Sequence, residues 1–181
     1  VYDAQFYGES ISKLDNTERS NLIKEGISAN STAYLDISET SKIKTLGNPT
    51  EAALLLWLHA QNVNYLDLRE DAEVVDQITF SAERKYMATV VNSSLLNKKV
   101  LYVKGAPEIV FDLSNKVHVN GQLLPTDEYQ VKLNKELTNY QSQAMRTLGF
   151  AYQIIEDDTP LFHEGKLSNV DLNFFWDCGY I

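Results

Sequence analysis

Two apolar runs decide the fold: Tyr86-Met87-Ala88-Thr89-Val90-Val91-Asn92 and Val100-Leu101-Tyr102-Val103-Lys104, the second continuing into Gly105-Ala106-Pro107-Glu108. Both are short, rich in β-branched and aromatic residues, and separated by the turn-like stretch Leu95–Lys99, which is the pattern of adjacent strands. Glu73–Phe80 reads the same way and ends at the turn-like Ser81–Lys85. Val117–Leu124 carries Asn120-Gly121, the strongest short hairpin signal. Thr147–Ile155 and Val170–Phe175 add two more strands. Helices fall between them. At Asn48-Pro49-Thr50-Glu51 an Asn cap, a Pro at the first helical position and a Glu at the third open a helix. Ala52–His59 is apolar nearly all round, so that helix is expected to be buried. Tyr65–Ala72 and Pro107–Leu113 read as short helices, and Asp127–Ala144 as an amphipathic one with Tyr129, Leu133, Leu137 and Tyr140 at helical intervals. Near the start, Asp15 followed three residues later by Glu18 signals a helix that takes in Leu22–Ile27. The Ser-, Thr- and Asn-rich stretch Ser28–Leu46 reads as irregular. The order is mixed, with hairpins rather than regular βαβ alternation. The expected fold is therefore α+β, a mainly antiparallel twisted sheet flanked by helices.

The 181 residues suit one domain, and no repeat or low-complexity tract divides them. Hydrophobic residues at 44% and charged residues at 23% describe a globular chain rather than a disordered one. The longest apolar run, Ala52–Leu58, has seven residues. A membrane-spanning helix needs about 20. The opening residues have neither a basic start nor an apolar core, so they do not read as a signal peptide. Sixteen Lys and Arg against 25 Asp and Glu give a net charge of −9, the opposite of a nucleic-acid footprint. Cys178 is the one cysteine and the three histidines are scattered, so neither a disulfide framework nor a metal cluster is expected.

Four short motifs carry chemistry: Gly47–Leu54, Phe80–Lys85, Lys104–Glu108 and Met145–Gly149. At Lys104-Gly105-Ala106 a lysine ends a strand and a residue without a side chain lets backbone approach a ligand. The same residues also fit a plain strand-to-helix turn with a solvated lysine. Phe80 beside Arg84-Lys85 suits a purine ring with a phosphate tail, the ring stacking while the cations neutralise charge. It equally suits a core Phe next to a charged turn. Glu51 can accept a hydrogen bond from an exocyclic amine, or complete a capping box back to Asn48. Arg146, between a long helix and a strand, is either a ligand group or a surface ion-pair partner.

In combination and in this order, the four motifs resemble the nucleotide-binding domain of P-type cation-transporting ATPases, most of all the type II calcium pumps. The matching segments are Gly47–Leu54, Phe80–Met87, Lys104–Glu108 and Arg146–Leu148. The resemblance implies that the domain binds ATP and presents its γ-phosphate to an aspartate on a separate domain. It implies that Phe80 stacks on adenine and that Glu51 bonds its amino group. Lys85 and Lys104 would line the pocket near ring and phosphates, Arg146 would engage the phosphate tail, and Leu148 would pack near the base. Gly105 and Ala106 would leave room for the ligand, and Ser81 and Arg84 belong to the same nucleotide-binding set. Ala82 stands where sarcoplasmic-reticulum-type pumps carry Arg, a departure that removes one phosphate-side cation while Arg84 remains.

The family's phosphorylated Asp-Lys-Thr-Gly-Thr, its Asp-Pro-x-Arg hinge and its Thr-Gly-Glu-Ser motif do not occur in these residues. On this resemblance residues 1–181 form one nucleotide-binding domain cut from a larger membrane pump, starting after the phosphorylation loop at Val1-Tyr2-Asp3 and ending at Asp177–Ile181 before the hinge. The piece alone would be soluble, inactive and without direct membrane contact, a cytoplasmic part of an integral membrane protein. Its partners would be ATP and the phosphorylation and actuator domains of its own chain, with Mg²⁺ held mainly by the phosphorylation domain. Two other classes compete: an interaction module using the Asn30–Thr45 segment, and a self-sufficient nucleotide hydrolase. The second lacks a candidate nucleophile or metal cluster in the sequence.

Overall fold

The computed structural model describes residues 3–6, 9–10, 13–38 and 42–180. Residues 39–41 of the Ser/Thr/Asn-rich stretch lie outside them, as do Val1, Tyr2 and Ile181. The chain runs β1 (Asp3–Phe6), β2 (Glu9–Ser10), α1 (Glu18–Ala29), β3 (Tyr34–Asp36), β4 (Lys44–Leu46), α2 (Pro49–Ala60), α3 (Tyr65–Asp71), β5 (Ala72–Ile78) and β6 (Tyr86–Ser93). It continues through β7 (Lys98–Gly105), α4 (Pro107–Asp112), β8 (Ser114–Val119), β9 (Gln122–Pro125), α5 (Thr126–Ser142), β10 (Arg146–Ile155), β11 (Phe162–His163), β12 (Lys166–Leu167) and β13 (Leu172–Tyr180). Seven strands lie in the order β2-β1-β13-β10-β7-β6-β5, and β8 with β9 branches from β13. Every pair is antiparallel except β13 with β8. The expected α+β architecture, a mainly antiparallel sheet flanked by helices, is the one observed.

The strands β6 and β7 are covered on both faces, which is why their sequences are almost continuously apolar. Side chains alternate across a strand. Val91, Val100, Tyr102, Phe150 and Tyr152 therefore pack with Leu22, Ile23 and Ile27 of α1 and Leu54, Leu55 and Leu58 of α2 on one face. Ala88, Val90, Leu101, Val103 and Ala151 pack with Phe111 of α4 and Tyr129, Leu133 and Leu137 of α5 on the other. Lys104 shares its parity with Val100 and Tyr102, so it emerges on the α1–α2 face at the end of the core. Leu148 is on that face too, being partly buried against the same cluster.

Local chemistry explains most boundaries. Asn48 caps α2, its side chain accepting from Thr50 N at 2.8 Å, with Pro49 in the first turn. Asn120 and Gly121 both adopt positive φ (49° and 79°), the requirement of the tight turn joining β8 to β9. The cap of α1 is Thr17 rather than Asp15. The Asp15 carboxylate instead accepts from the Thr17 N–H at 2.9 Å and from its hydroxyl, which holds the capping residue in place. Ser28–Leu46 is less irregular than its composition suggests. Its start completes α1, and β3 pairs with β4 through Tyr34↔Leu46. Three-residue strands with mostly exposed side chains leave no hydrophobic period to read. β5 stops at Ile78, so Phe80 lies in the following turn instead of ending the strand. The β11–β12 hairpin turns at Glu164-Gly165, both at positive φ (49° and 71°), and its strands of two residues each carry no readable alternation beside that glycine. Among the described residues no helix is long and apolar enough to cross a membrane.

Candidate functional site

At the open ends of β6, β7 and β10, beside the N-terminus of α2, lies a cleft of about 420 Å³. It is lined by Asn48, Thr50 and Glu51 from α2 and its cap, and by Phe80, Ala82 and Lys85 from the β5–β6 turn. Lys104, Gly105 and Ala106 at the end of β7, with Thr147 and Leu148 of β10, complete it. Four segments far apart in sequence thus converge because antiparallel pairing sets Lys104 beside both Met87 and Phe150, and Gly105 beside both Tyr86 and Gly149.

The back of the cleft is an ion pair. Lys104 Nζ donates to Glu51 Oε1 at 2.8 Å, and the two residues are 4% and 6% exposed. Lys104 also donates to the backbone oxygen of Asn30. The other Glu51 oxygen accepts from Thr32 N at 2.7 Å, Thr32 Oγ1 at 2.9 Å, Ala33 N at 3.0 Å and Ser31 Oγ at 3.3 Å. Glu51 therefore turns towards Lys104 and the 31–33 segment, and away from a capping box with Asn48. Burial works against its charge, but the Lys104 ammonium and these donors outweigh it and hold the carboxyl below its usual range. For Lys104, burial lowers the pKa, the Glu51 carboxylate opposes that shift, and the charge of Arg69 adds to it.

The mouth is built differently. Phe80 is 55% exposed, unusual for so large an apolar side chain. Its turn is held by the two neighbours that the sequence placed in the site. Ser81 Oγ accepts from Arg84 N at 3.1 Å, Ser81 O accepts from Lys85 N at 2.7 Å, and the Arg84 guanidinium donates to Thr79 O at 2.6 Å. Ser81 and Arg84 are not among the residues lining the cleft, and Ser81 Oγ and one guanidinium nitrogen of Arg84 bond within the turn. Lys85 is held at φ +59°, a conformation that costs a non-glycine residue about 1–3 kcal/mol. Its carbonyl accepts from Ala106 N at 2.9 Å. A Cβ on Gly105 would lie 2.2 Å from that same carbonyl oxygen, so a glycine is needed where the two strands meet.

Of the ten residues expected at the site, Glu51, Phe80, Lys85, Lys104, Gly105, Ala106 and Leu148 line one cleft. Arg146 is exposed at the start of β10, two residues before Leu148 and so on the same face, but outside the lining. Asn48, Thr50, Ala82 and Thr147 line the cleft without having been assigned to it. Asn48 and Thr50 were legible as cap and first turn, and a helix N-terminus pointing at a cleft is itself the signal. Thr147 sits inside the Met145–Gly149 motif. The cleft's carboxylate, Glu51, commits Oε2 to the 31–33 segment and pairs Oε1 with Lys104. Among the described residues no group of three or more His, Cys, Asp or Glu is placed to hold a metal ion.

Comparison with known proteins shows the family. Residues 18–175 match the family model described as P-type ATPase, cytoplasmic domain N. The chain is 31% identical over 134 residues to the calcium-transporting ATPase PAT1 of Dictyostelium discoideum, covering 74% of the chain and 12% of that protein. It is 31% identical over 124 residues to calcium-transporting ATPase 1 of Lactococcus lactis, covering 68% and 14%. Against calcium-transporting ATPase 2 of Cryptococcus neoformans the identity is 31% over 169 residues, covering 87% and 12%. The alignments thus span only 12–14% of the length of these relatives. The chain belongs to the P-type ATPase cytoplasmic domain N family.

Proposed function

We propose that residues 1–181 act as one nucleotide-binding domain that holds ATP in this cleft and presents its γ-phosphate to an aspartate on a neighbouring domain of a calcium-transporting P-type pump. One observation carries the reading: Phe80 is left 55% exposed on the wall of a cleft that also holds Lys85 and Lys104. An aromatic face with cations beside it is a site for a purine and its phosphates. The base stacks on Phe80 and packs against Leu148, while Gly105 and Ala106 keep the floor low. Glu51 Oε1 bonds the exocyclic amine with the lone pair that Lys104 leaves open. Lys85 and Arg146 face the phosphate tail, and Ser81 and Arg84 keep Phe80 presented. The net charge of −9 does not oppose this, because exposed charges are screened beyond roughly 8–10 Å.

The domain delivers nucleotide and does not react with it. Phosphoryl transfer depends chiefly on position and charge neutralisation, so capture and chemistry can sit on separate bodies brought together by closure. The residues described here do not fit Mg²⁺ as ligands, and no step is assigned to the ion on this domain. In the whole pump, the phosphorylation and actuator domains are the partners, at the cytoplasmic side of a membrane. Calorimetric titration with ATP, adenosine and inorganic triphosphate tests the reading. ATP is expected to bind weakly but more tightly than either part alone, and heats no larger for ATP than for triphosphate would sink it.

A further inference from the structure

Behind the Glu51–Lys104 pair lies a third charged side chain that does not touch the cleft. Arg69, from α3, donates through Nε to Ser28 O at 2.8 Å and through NH1 to Ala33 O at 3.0 Å. Its guanidinium carbon sits 4.8 Å from the centre of the Tyr34 ring and 5.0 Å from that of Tyr65. Tyr65 in turn accepts through its hydroxyl oxygen from Leu35 N at 2.8 Å. Arg69 has no carboxylate partner among the described residues, and its remaining nitrogen, NH2, is buried without a hydrogen bond.

The two carbonyls that Arg69 grips bracket the segment on which the cleft's charged pair docks. Between Ser28 and Ala33 lie the Asn30 oxygen held by Lys104 and the Ser31, Thr32 and Ala33 donors held by Glu51. The segment thus carries charged groups on two sides, Arg69 from α3 and the pair from the cleft. A planar guanidinium fixed at two carbonyls between two rings is a rigid support, which a lysine's single flexible ammonium cannot reproduce. A cation left without a counter-ion beside Lys104 also keeps the back of the cleft net positive, which favours an anionic ligand.

We propose that Arg69 is a positioning residue of the nucleotide site: it clamps the turn 28–33 so that Glu51 and Lys104 face the cleft in fixed geometry. The proposal rests on reading the cleft as a nucleotide site. Its test uses Arg69→Gln and Arg69→Lys in the 181-residue chain, with two readouts. The first needs no ligand: the Thr32 and Ala33 amides, which donate to Glu51, are followed by hydrogen exchange. In Arg69→Gln they exchange faster than in the unaltered chain, while amides in β6 and β7 keep their protection. The second is ATP affinity, expected to fall about tenfold in Arg69→Gln, within the range by which contacting residues couple. Combined with Glu51→Gln, the loss is less than additive, whereas with Phe80→Ala the losses add. Arg69→Lys retains the charge and the fold, and is expected to recover only part of the affinity. Full recovery by Arg69→Lys, or affinity and exchange unchanged in Arg69→Gln, overturns the clamp. Faster exchange without loss of affinity overturns its role in the site. An unaltered chain that ignores ATP removes the reading of the cleft on which the proposal stands, while the exchange data still judge the clamp separately.

Discussion

Lys104 and Glu51, 53 residues apart in the chain, meet at 2.8 Å at the back of the cleft, and neither side chain is more than 8% exposed. This pair joins the end of the central sheet to the first turn of α2, so it holds the cleft's two walls together. Removing one partner leaves a buried charge without its counter-ion.

Lys104→Met is therefore expected to cost about 3–5 kcal/mol, the usual range for breaking a buried pair from one side. Replacing both partners by apolar residues often restores stability elsewhere. Here it will not, because the Thr32 and Ala33 N–H groups lose their acceptor when Glu51 goes. Urea unfolding of Lys104→Met and of the double variant Glu51→Met/Lys104→Met measures this. A double variant as stable as the unaltered chain would mean that the contacts of Glu51 Oε2 contribute nothing.

Gly105→Ala places a methyl group 2.2 Å from the Lys85 carbonyl and 2.7 Å from Tyr86 Cα, both backbone atoms. No side-chain rotation relieves the contact, so β6 and β7 must part at the cleft. The expected cost is about 1–3 kcal/mol by overpacking. It is accompanied by amide shifts at Lys85 and Ala106, read from an amide spectrum and a denaturation midpoint.

Glu25 gives a pH test away from the cleft. It is 1% exposed, accepts from Ser93 Oγ and from the Tyr102 hydroxyl at 2.7 Å each, and burial raises its pKa against those two bonds. A raised folded pKa contributes stability below the ordinary value of 4.5, and that contribution is lost as pH rises through the folded pKa. Glu25→Gln removes the loss, so it should be more stable than the unaltered chain at pH 7, with the gap closing below pH 4.5. Glu51, whose pKa is lowered, behaves in the opposite way, and its contribution is lost on acidification through its folded pKa. Melting curves of both chains between pH 4 and pH 8 decide the sign for Glu25.

What the sequence made legible was whatever local chemistry settles. Asn48-Pro49 marks a helix start wherever it docks, Asn120-Gly121 demands its turn, and β6 and β7 are apolar because both their faces are covered. The site motifs were legible as strings, but not the partners of their side chains. Glu51 reads as a cap or a ligand group until α2 is laid against the 31–33 segment. Arg69 reads as an ordinary helix charge until α3 brings it to carbonyls 41 and 36 residues away. Ser81 and Arg84 were assigned to the ligand through the resemblance of the Phe80–Met87 motif, whereas the bonds they make here are within the turn, through Ser81 Oγ and one Arg84 guanidinium nitrogen. Such contacts depend on how elements pack, and no short window of residues contains that information.

The central claim is that the cleft captures ATP on Phe80, and an amide-resolved ATP titration of the 181-residue chain and of Phe80→Ala tests it most directly. Phe80 is exposed and makes little core contact, so the variant should fold with unchanged stability. The account predicts shifts confined to the segments around Glu51, Phe80, Lys85, Lys104 and Leu148, most of which vanish in Phe80→Ala. An absence of localised shifts at millimolar ATP, or equal shifts in the two chains, would contradict it.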